Sequence, residues 1–335
     1  MGSRYRKCCR IAQVSWFSSW RRARFSNPWS HHDHGLLDIL RWKSGWRRTE
    51  APVFGADDSP AQRRELSWAE ISEWPLDGVR VFWLGHASFL IVGHGKRLLI
   101  DPIFSDYCSP WPFHLPSLKR KVSVPWSFAD WPAIDAILLT HTHYDHCDLP
   151  TLRKFPASTP IIVAEGHGRW LRKQGFADVT EVPWWEKVAL GEWSITATPA
   201  QHFTARSLFD RNRGHWCGWC LEAAGQRLWH AGDSGYAPIF REMGEKLGPM
   251  DLSMIPIGAY SPRWVMKGMH MNPEEAVRVF QETRSKRAIA MHWGTFRLTD
   301  EPMGEPPLRL AQEMAKQGIA SERFQAGAIG QAWTV

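Results

Sequence analysis

A short apolar run, Ala136–Leu139, leads directly into His141-Thr142-His143-Tyr144-Asp145-His146. Three imidazoles and a carboxylate in one hexapeptide are costly to bury as ordinary core. Any fold open to this chain must therefore end a buried strand in a polar site. Imidazole and carboxylate together suit Zn, Fe or Mn. His141 and His143, two residues apart, project the same way from extended backbone. Asp145 and His146 fall beyond the turn, placed for a neighbouring ion.

The surrounding sequence supplies the scaffold. Short apolar runs at 79–85, 88–92, 97–101, 133–141, 160–165, 193–200, 217–223, 226–233, 251–258 and 287–294 alternate with turn residues and read as strands. Helical patterns fall between them at 148–155, 167–174, 238–247, 272–283 and 308–317. Asn272 is a capping residue, followed by Pro273 and by Glu274 and Glu275 in the first turn. Strands and helices mixed in this way predict a layered α/β domain over 78–335. Residues 1–77 form a basic, Trp-rich N-terminal arm with a helix-like stretch at 36–42. No low-complexity tract or internal repeat is visible.

Other apolar runs end in ligand types too. His202 follows 193–200, Asp233 follows 226–232 and opens the turn Gly232-Asp233-Ser234-Gly235, and His292 follows 287–291. Ligands in α/β sheets gather at the carboxyl ends of strands. The expected sets are His141, His143, His202 and Asp233 for one ion, and Asp145, His146, Asp233 and His292 for a second. Asp233 has two oxygens and can bridge ions ~3.5–4 Å apart.

Charge and composition narrow the partners. Lys and Arg number 41 against 34 Asp and Glu, a net charge of +7. Eleven of the basic residues lie in 4–24 and 41–48, where there is no acid, so the remainder is slightly acidic. A basic end interleaved with Trp16, Phe17, Trp20 and Phe25 suits an anionic membrane surface. Nucleic acid is not an expected partner, because the basic residues do not surround the metal motif. The 21 Trp fit either a wet apolar boundary or a Trp-rich core. No run approaches the ~18 apolar residues of a membrane-spanning helix. Residues 1–10 resemble a charged leader, but 11–22 lack an apolar stretch and a cleavage site, so no signal peptide is expected. The chain is expected in the cytoplasm, peripheral at the membrane. Cys8 and Cys9 are candidates for acylation. Cys217 and Cys220 lie on opposite faces of a strand with no second Cys pair, so they read as buried thiols in a reducing compartment.

HTHYDH resembles the H-x-H-x-D-H motif of the metallo-β-lactamase superfamily. WLGHASFLI, IDPIFSDYCSP, HTHYDHCDLPTL, PAQHFTAR, DRNRGHWCGW, HAGDSGY, GPMDLSMIPIGAYSPRWVMKGMHMNPEEAV and MHWGTFRLTDEP resemble its N-acylphosphatidylethanolamine-hydrolysing phospholipase D family, over roughly 78–310. FSNPW and LDILRWK extend the likeness weakly into the arm. The resemblance implies a four-layer αββα sandwich and two zinc ions per chain, with Fe or Mn as alternatives. His141, His143 and His202 would hold the first, Asp145, His146 and His292 the second, with Asp233 between. It implies that Asp101 orients a ligand His, that His270 sits near a substrate phosphate, and that Asp145, Asp233 and His270 are catalytic. Arg206 and Arg263 are either phosphate or headgroup partners, through the planar fork of donors a guanidinium offers, or surface or structural arginines. Met269 and Met271 either line an acyl channel or fill the core. His86 either lies near the site or, as the reading preferred from sequence, is a core histidine bonded within a strand. The implied reaction is hydrolysis of N-acylphosphatidylethanolamine-like phospholipids to N-acylethanolamine and phosphatidic acid by metal-activated hydroxide. The alternatives are another phosphodiester, a lactone or an acyl substrate, or a non-catalytic membrane-surface protein. A homodimer is compatible with all of these readings.

Overall fold

In a computed structural model, residues 25–29, 34–45, 51–52, 55–66, 71, 78–110, 114–126, 131–207 and 209–335 are described. Two sheets grow from strands that are apolar on both faces. In β1 (Arg80–Gly85), Val81 and Trp83 join one buried cluster while Phe82 and Leu84 join another. The same split recurs in β2 (Ser88–Gly93), β4 (Ala136–Leu139) and β5 (Ile161–Ala164). Burial on both faces explains why these segments read as continuous apolar runs.

The first seven-stranded sheet has the order β14-β1-β2-β3-β4-β5-β6, with β3 at Lys96–Ile100, β6 at Val179–Val182 and β14 at Ala332–Thr334. The second has the order β13-β12-β11-β10-β9-β8-β7. Its strands are β7 (Lys187–Leu190), β8 (Trp193–Thr198), β9 (Gly218–Ala223), β10 (Gln226–His230), β11 (Leu252–Pro256), β12 (Arg287–Met291) and β13 (Phe324–Gln325). From β14 across to β6, three antiparallel pairings precede three parallel ones. From β7 across to β13 the pattern is identical. The fold thus contains a topological repeat that the sequence does not display.

Helices cover the outer faces. Leu152 of α2 (Leu149–Leu152) and Leu171 of α3 (Gly168–Lys173) pack on the first sheet. Phe240 and Met243 of α4 (Ile239–Lys246), Val277 and Phe280 of α6 (Pro273–Glu282), and Leu310 and Met314 of α7 (Glu305–Lys316) pack on the second. This is the four-layer αββα sandwich. Asn272 caps α6 as expected, accepting from Glu275 N at 3.0 Å. The helix expected at 148–155 is shorter, confined to Leu149–Leu152; Pro156 disfavours helical backbone just before it.

Described residues of the expected arm belong to this packing. Ala61, Leu66 and Ile71 are core residues. Ala61 N donates to Gly294 O at 3.0 Å and Arg64 N to Ile329 O at 2.8 Å. Helix α1 (Leu36–Lys43) lays Trp42 against Val265 and Met266 at α5 (Arg263–Met266). The stretch 4–24, with Cys8, Cys9 and its aromatic residues, lies outside the described residues. Trp83, Trp193, Trp216, Trp219 and Trp229 are fully buried, so much of the Trp content is core. Cys217 and Cys220 are free and buried. Among the described residues, no helix is long and apolar enough to cross a membrane.

Candidate metal centre

The carboxyl ends of the like-directed strands β1, β3 and β4 in one sheet, and of β8, β10 and β12 in the other, converge. His86 lies after β1, Asp101 after β3, and His141, His143, Asp145 and His146 after β4. His202 lies beyond β8, Asp233 beyond β10 and His292 after β12. The turns are tight. His86, Asp101 and His292 are three of the nine non-glycine residues with positive φ among the described residues, at +53°, +43° and +62°. Such conformations cost of order 1–3 kcal/mol each and cluster at functional sites. Gly232 brings Asp233 in: a Cβ there would lie 2.4 Å from Cys217 O.

Two donor groups result. His141, His143, His202 and Asp233 form one and His86, Asp145, His146 and His292 the other, each with its donor atoms within 4.8 Å of one another. A third grouping, Asp233, His270 and His292, overlaps them. Asp233 Oδ2 is the hinge. It lies 3.1 Å from His146 Nε2, 3.2 Å from His292 Nε2, 3.7 Å from His202 Nε2 and 4.0 Å from His141 Nε2. Asp145 Oδ2 lies 3.3 Å from His292 Nε2 and 3.6 Å from His146 Nε2.

Hydrogen bonds behind the rings set what the rings present. Asp101 is fully buried and accepts from Thr140 N at 2.8 Å, Thr140 Oγ1 at 2.5 Å and His146 Nδ1 at 2.7 Å. Thr140 Oγ1, having given its proton to Asp101, accepts from His141 Nδ1 at 3.0 Å. His202 Nδ1 donates to Met269 O at 2.8 Å. With the outer nitrogens so engaged, the Nε2 lone pairs of His141, His146 and His202 face inward. His143 Nδ1 meets two of them, at 2.9 Å and 3.1 Å, and has at most one proton to offer. His146 Nε2, His292 Nε2 and Asp233 Oδ1 are buried without a hydrogen-bond partner. Leaving such groups unpaired costs ~1–3 kcal/mol each. The donor set therefore fits cations, which satisfy inward lone pairs that protein hydrogen bonds leave open.

Electrostatics agree. Burial pushes His141 down, and burial brings His143 to about 3 and His202 to about 4, with neighbouring imidazoles adding to the effect on His141 and His143. These rings are neutral, as ligands must be. Burial also opposes charge on His146 and His292. The carboxylates of Asp233 and Asp145 outweigh it, holding His146 well above the usual range and His292 at about 9. Burial would raise Asp145 and Asp233, but the surrounding imidazoles hold both well below the usual carboxylate range. Two buried carboxylates thus draw protons where cations would otherwise sit.

All seven expected ligands converge, and Asp101 stands behind His146. His270 joins them, with Nδ1 buried, without a hydrogen-bond partner and 3.9 Å from Asp233 Oδ2. For three residues the geometry favours one of the two readings the sequence leaves open. His86 is not a strand histidine: it sits in the β1–β2 turn, with Nε2 2.9 Å from Asp145 Oδ2 and its ring 4.0 Å from that of His292. The break between the runs 79–85 and 88–92 was the available signal. Arg206 lies behind the metal-binding turn, where Nη1 donates to Thr142 O and Cys147 O, both at 2.8 Å, and the guanidinium covers Tyr144. Arg263 donates to His270 O at 2.8 Å and pairs with Glu275 at 2.8 Å. Both arginines brace site backbone. Met271 is core, and Met269 packs beside α5. His143, Asp145 and His270 keep partial exposure and mark the open side.

This fold and donor set define a metal-dependent hydrolase of the metallo-β-lactamase superfamily, whose β-lactamase superfamily domain matches residues 96–293. The N-acyl-phosphatidylethanolamine-hydrolyzing phospholipase D 1 of Caenorhabditis elegans is 37% identical over 271 residues, 76% of each chain. The mitochondrial N-acyl-phosphatidylethanolamine-hydrolyzing phospholipase D of Saccharomyces cerevisiae is 34% identical over 74% of this chain and 54% of its own length. Within the superfamily, the chain belongs to this phospholipase D-like family. Among solved structures, the metallo hydrolase Igni18 of Ignicoccus hospitalis shares the fold, with a TM-score of 0.56 and 22% identity over 77% of this chain and 98% of that one.

Proposed function

We propose that the chain is a zinc-dependent phosphodiesterase of phospholipase D type. Its substrates would be N-acylphosphatidylethanolamine-like lipids, cleaved to N-acylethanolamine and phosphatidic acid, with two zinc ions per chain. The observation that carries the reading is the position of Asp233, which belongs to the His141 group and whose Oδ2 also lies 3.1 Å from His146 Nε2 and 3.2 Å from His292 Nε2 of the other group. Zinc suits His and carboxylate donors and brings no redox chemistry to a hydrolysis. When bound, a pair of such ions supplies an activated water at neutral pH and neutralises phosphoryl oxygens. The lipid assignment draws on the names of the relatives.

The chain's own groups divide the remaining work. Asp145 and Asp233 stay anionic and hold the positive charge in place. Burial keeps His270 neutral, well below the usual imidazole range. Its unpartnered Nδ1 faces Asp233 from the open side, where an N–H donates to a phosphoryl oxygen. Phospholipid would be met at an anionic membrane surface. Leu37 and Leu40 of α1 support that step: they are 69% and 56% exposed, beside Arg41 and Lys43 in the last turn.

The test is mass spectrometry of N-acylphosphatidylethanolamine vesicles incubated with protein whose metal content has been measured. Chelator-sensitive appearance of both N-acylethanolamine and phosphatidic acid is expected. Hydrolysis of bis(nitrophenyl) phosphate or a lactone, without lipid cleavage, would move the substrate elsewhere in the superfamily. Failure on every substrate, with under about one zinc against the two required, would favour a non-catalytic membrane-surface protein.

A further inference from the structure

His202 sits beyond β8, where no strand flanks its backbone. Its neighbour Gln201 is tied to the Asp233 turn, accepting from Gly235 N at 2.9 Å and donating to Ser234 Oγ at 2.8 Å. The peptide groups of His202 point elsewhere, and both reach one side chain. Asn27 Nδ2 donates to His202 O at 2.8 Å, and His202 N donates to Asn27 Oδ1 at 3.2 Å. A primary amide is the side-chain equivalent of a peptide, so this two-point pairing does for His202 what a neighbouring strand does for a sheet residue. His202 is 1% exposed, and buried backbone groups without partners are costly.

The segment carrying Asn27 is fixed on both sides. Phe25 N donates to Asn212 O at 2.9 Å, and the Phe25 ring stacks on His215 at 4.5 Å. Trp184 stacks on His215 at 4.0 Å, and Trp29 on Trp184 at 5.9 Å. Gly166 keeps the Phe25 berth open: a Cβ there would lie 2.8 Å from Phe25 Cε2. A stack of four rings thus brackets Asn27. The His202 ring is held separately, by Met269 O. Backbone and ring together fix where Nε2 points.

We propose that Asn27 is a positioning residue of the metal centre, and that residues 25–29 form a strap without which His202 is a poor ligand. The proposal rests on the metal-centre reading and is independent of the lipid substrate. A chain trimmed at the domain start expected from sequence, residue 78, would lack this strap while retaining every ligand.

The test uses the full chain and its Asn27→Ala and Asn27→Asp variants, with zinc and cobalt(II) as probes. Asn27→Asp keeps the acceptor for His202 N and removes the donor to His202 O, so it carries the test if Asn27→Ala does not fold. Zinc affinity is measured against a competing chelator, the visible spectrum of the cobalt-loaded protein is recorded, and thermal unfolding is followed in the metal-free state. Both variants are expected to lose one zinc with about 10-fold weaker affinity, as loss of groups that orient a ligand typically produces, and to show an altered cobalt spectrum. A variant with lowered unfolding temperature but wild-type zinc affinity and cobalt spectrum would reduce Asn27 to a structural role and overturn the proposal. Absence of metal from the wild-type chain would overturn the centre itself, whatever the lipid assay gave.

Discussion

Asp101→Asn isolates the contribution of a residue that touches no substrate. The left-handed backbone at Asp101, φ +43°, is one that Asn tolerates, so the replacement keeps the backbone and changes the hydrogen bonding and the charge behind His146. Asp101 Oδ1 accepts from Thr140 N at 2.8 Å, while Oδ2 accepts from Thr140 Oγ1 at 2.5 Å and His146 Nδ1 at 2.7 Å. An Asn must put its NH2 group at one of these positions. At Oδ2 it meets the His146 N–H, and at Oδ1 it meets the backbone N–H of Thr140. Either orientation sets donor against donor in a site with no water access from Asp101, which is fully buried. The bond lost is charge-assisted and worth ~1.5–3 kcal/mol. Through His146 the loss falls on the His86, Asp145, His146 and His292 group, whose metal affinity should drop roughly 10- to 100-fold. The assay is equilibrium competition with a chelator, with metal stoichiometry read by mass spectrometry and folding checked by circular dichroism. A folded Asp101→Asn protein that holds its full metal complement at wild-type affinity would refute the idea that Asp101 sets the direction of the His146 lone pair.

Four further outcomes are expected. His86→Ala removes the contact to Asp145 Oδ2 and should weaken metal binding about 10-fold in the group containing His86; chelator titration would resolve this from the His141 group, which should hold. Gly244→Ala gains about 1 kcal/mol of helix propensity, but its Cβ would lie 1.9 Å from Glu282 O; overpacking costs ~1–3 kcal/mol, so calorimetry should show a lower unfolding temperature with unchanged metal content. Burial holds His167 at about 4 and His215 at about 3, both away from the ligands. Because these folded values are depressed, the unfolded chain binds more protons in acid, and stability present above about 6.5 is lost as pH falls towards 4. His167 alone should account for about 3 kcal/mol across that window, seen as a flatter pH dependence of urea unfolding in His167→Gln. Finally, chelation should lower the unfolding temperature of the whole domain, since a metal at 1,000-fold over its Kd stabilises by about 4 kcal/mol; a chelator-insensitive transition would argue against bound metal in the purified protein.

The site was more legible in the sequence than the sheet edges, for a physical reason. A ligand that follows a buried apolar run announces both its strand and its place, as Leu139 does for His141 and Met291 for His292. Edge strands carry no such mark. β7 alternates exposed and half-buried residues, while β13 and β14 span two and three residues, too short to show a period. His86 was harder to place because the break between the runs 79–85 and 88–92 is only two residues long, too short to mark a turn that reaches the site. Arg206 and Arg263 escaped because sequence gives a guanidinium its charge and not its direction, and here both are turned onto backbone carbonyls.

The repeat in sheet topology accounts for the scatter of the ligands along the chain. Aligning the two sheets by their pairing order sets β1 against β8 and β3 against β10. His86 in one half then occupies the place of His202 in the other, and Asp101 the place of Asp233. The paired residues have diverged in duty. Asp233 faces five imidazoles across the centre, whereas Asp101 stands one layer back and holds His146. The His141 group takes two donors from each sheet, and the His86 group takes three from the first and one from the second. Neither half can assemble either group alone. The donors must therefore be distant in sequence and adjacent in space, and the packing of sheet on sheet is what sets the distances between them. That is why Trp83, Trp219 and Trp229, in the core cluster that contains residues of both sheets, matter to chemistry they never touch.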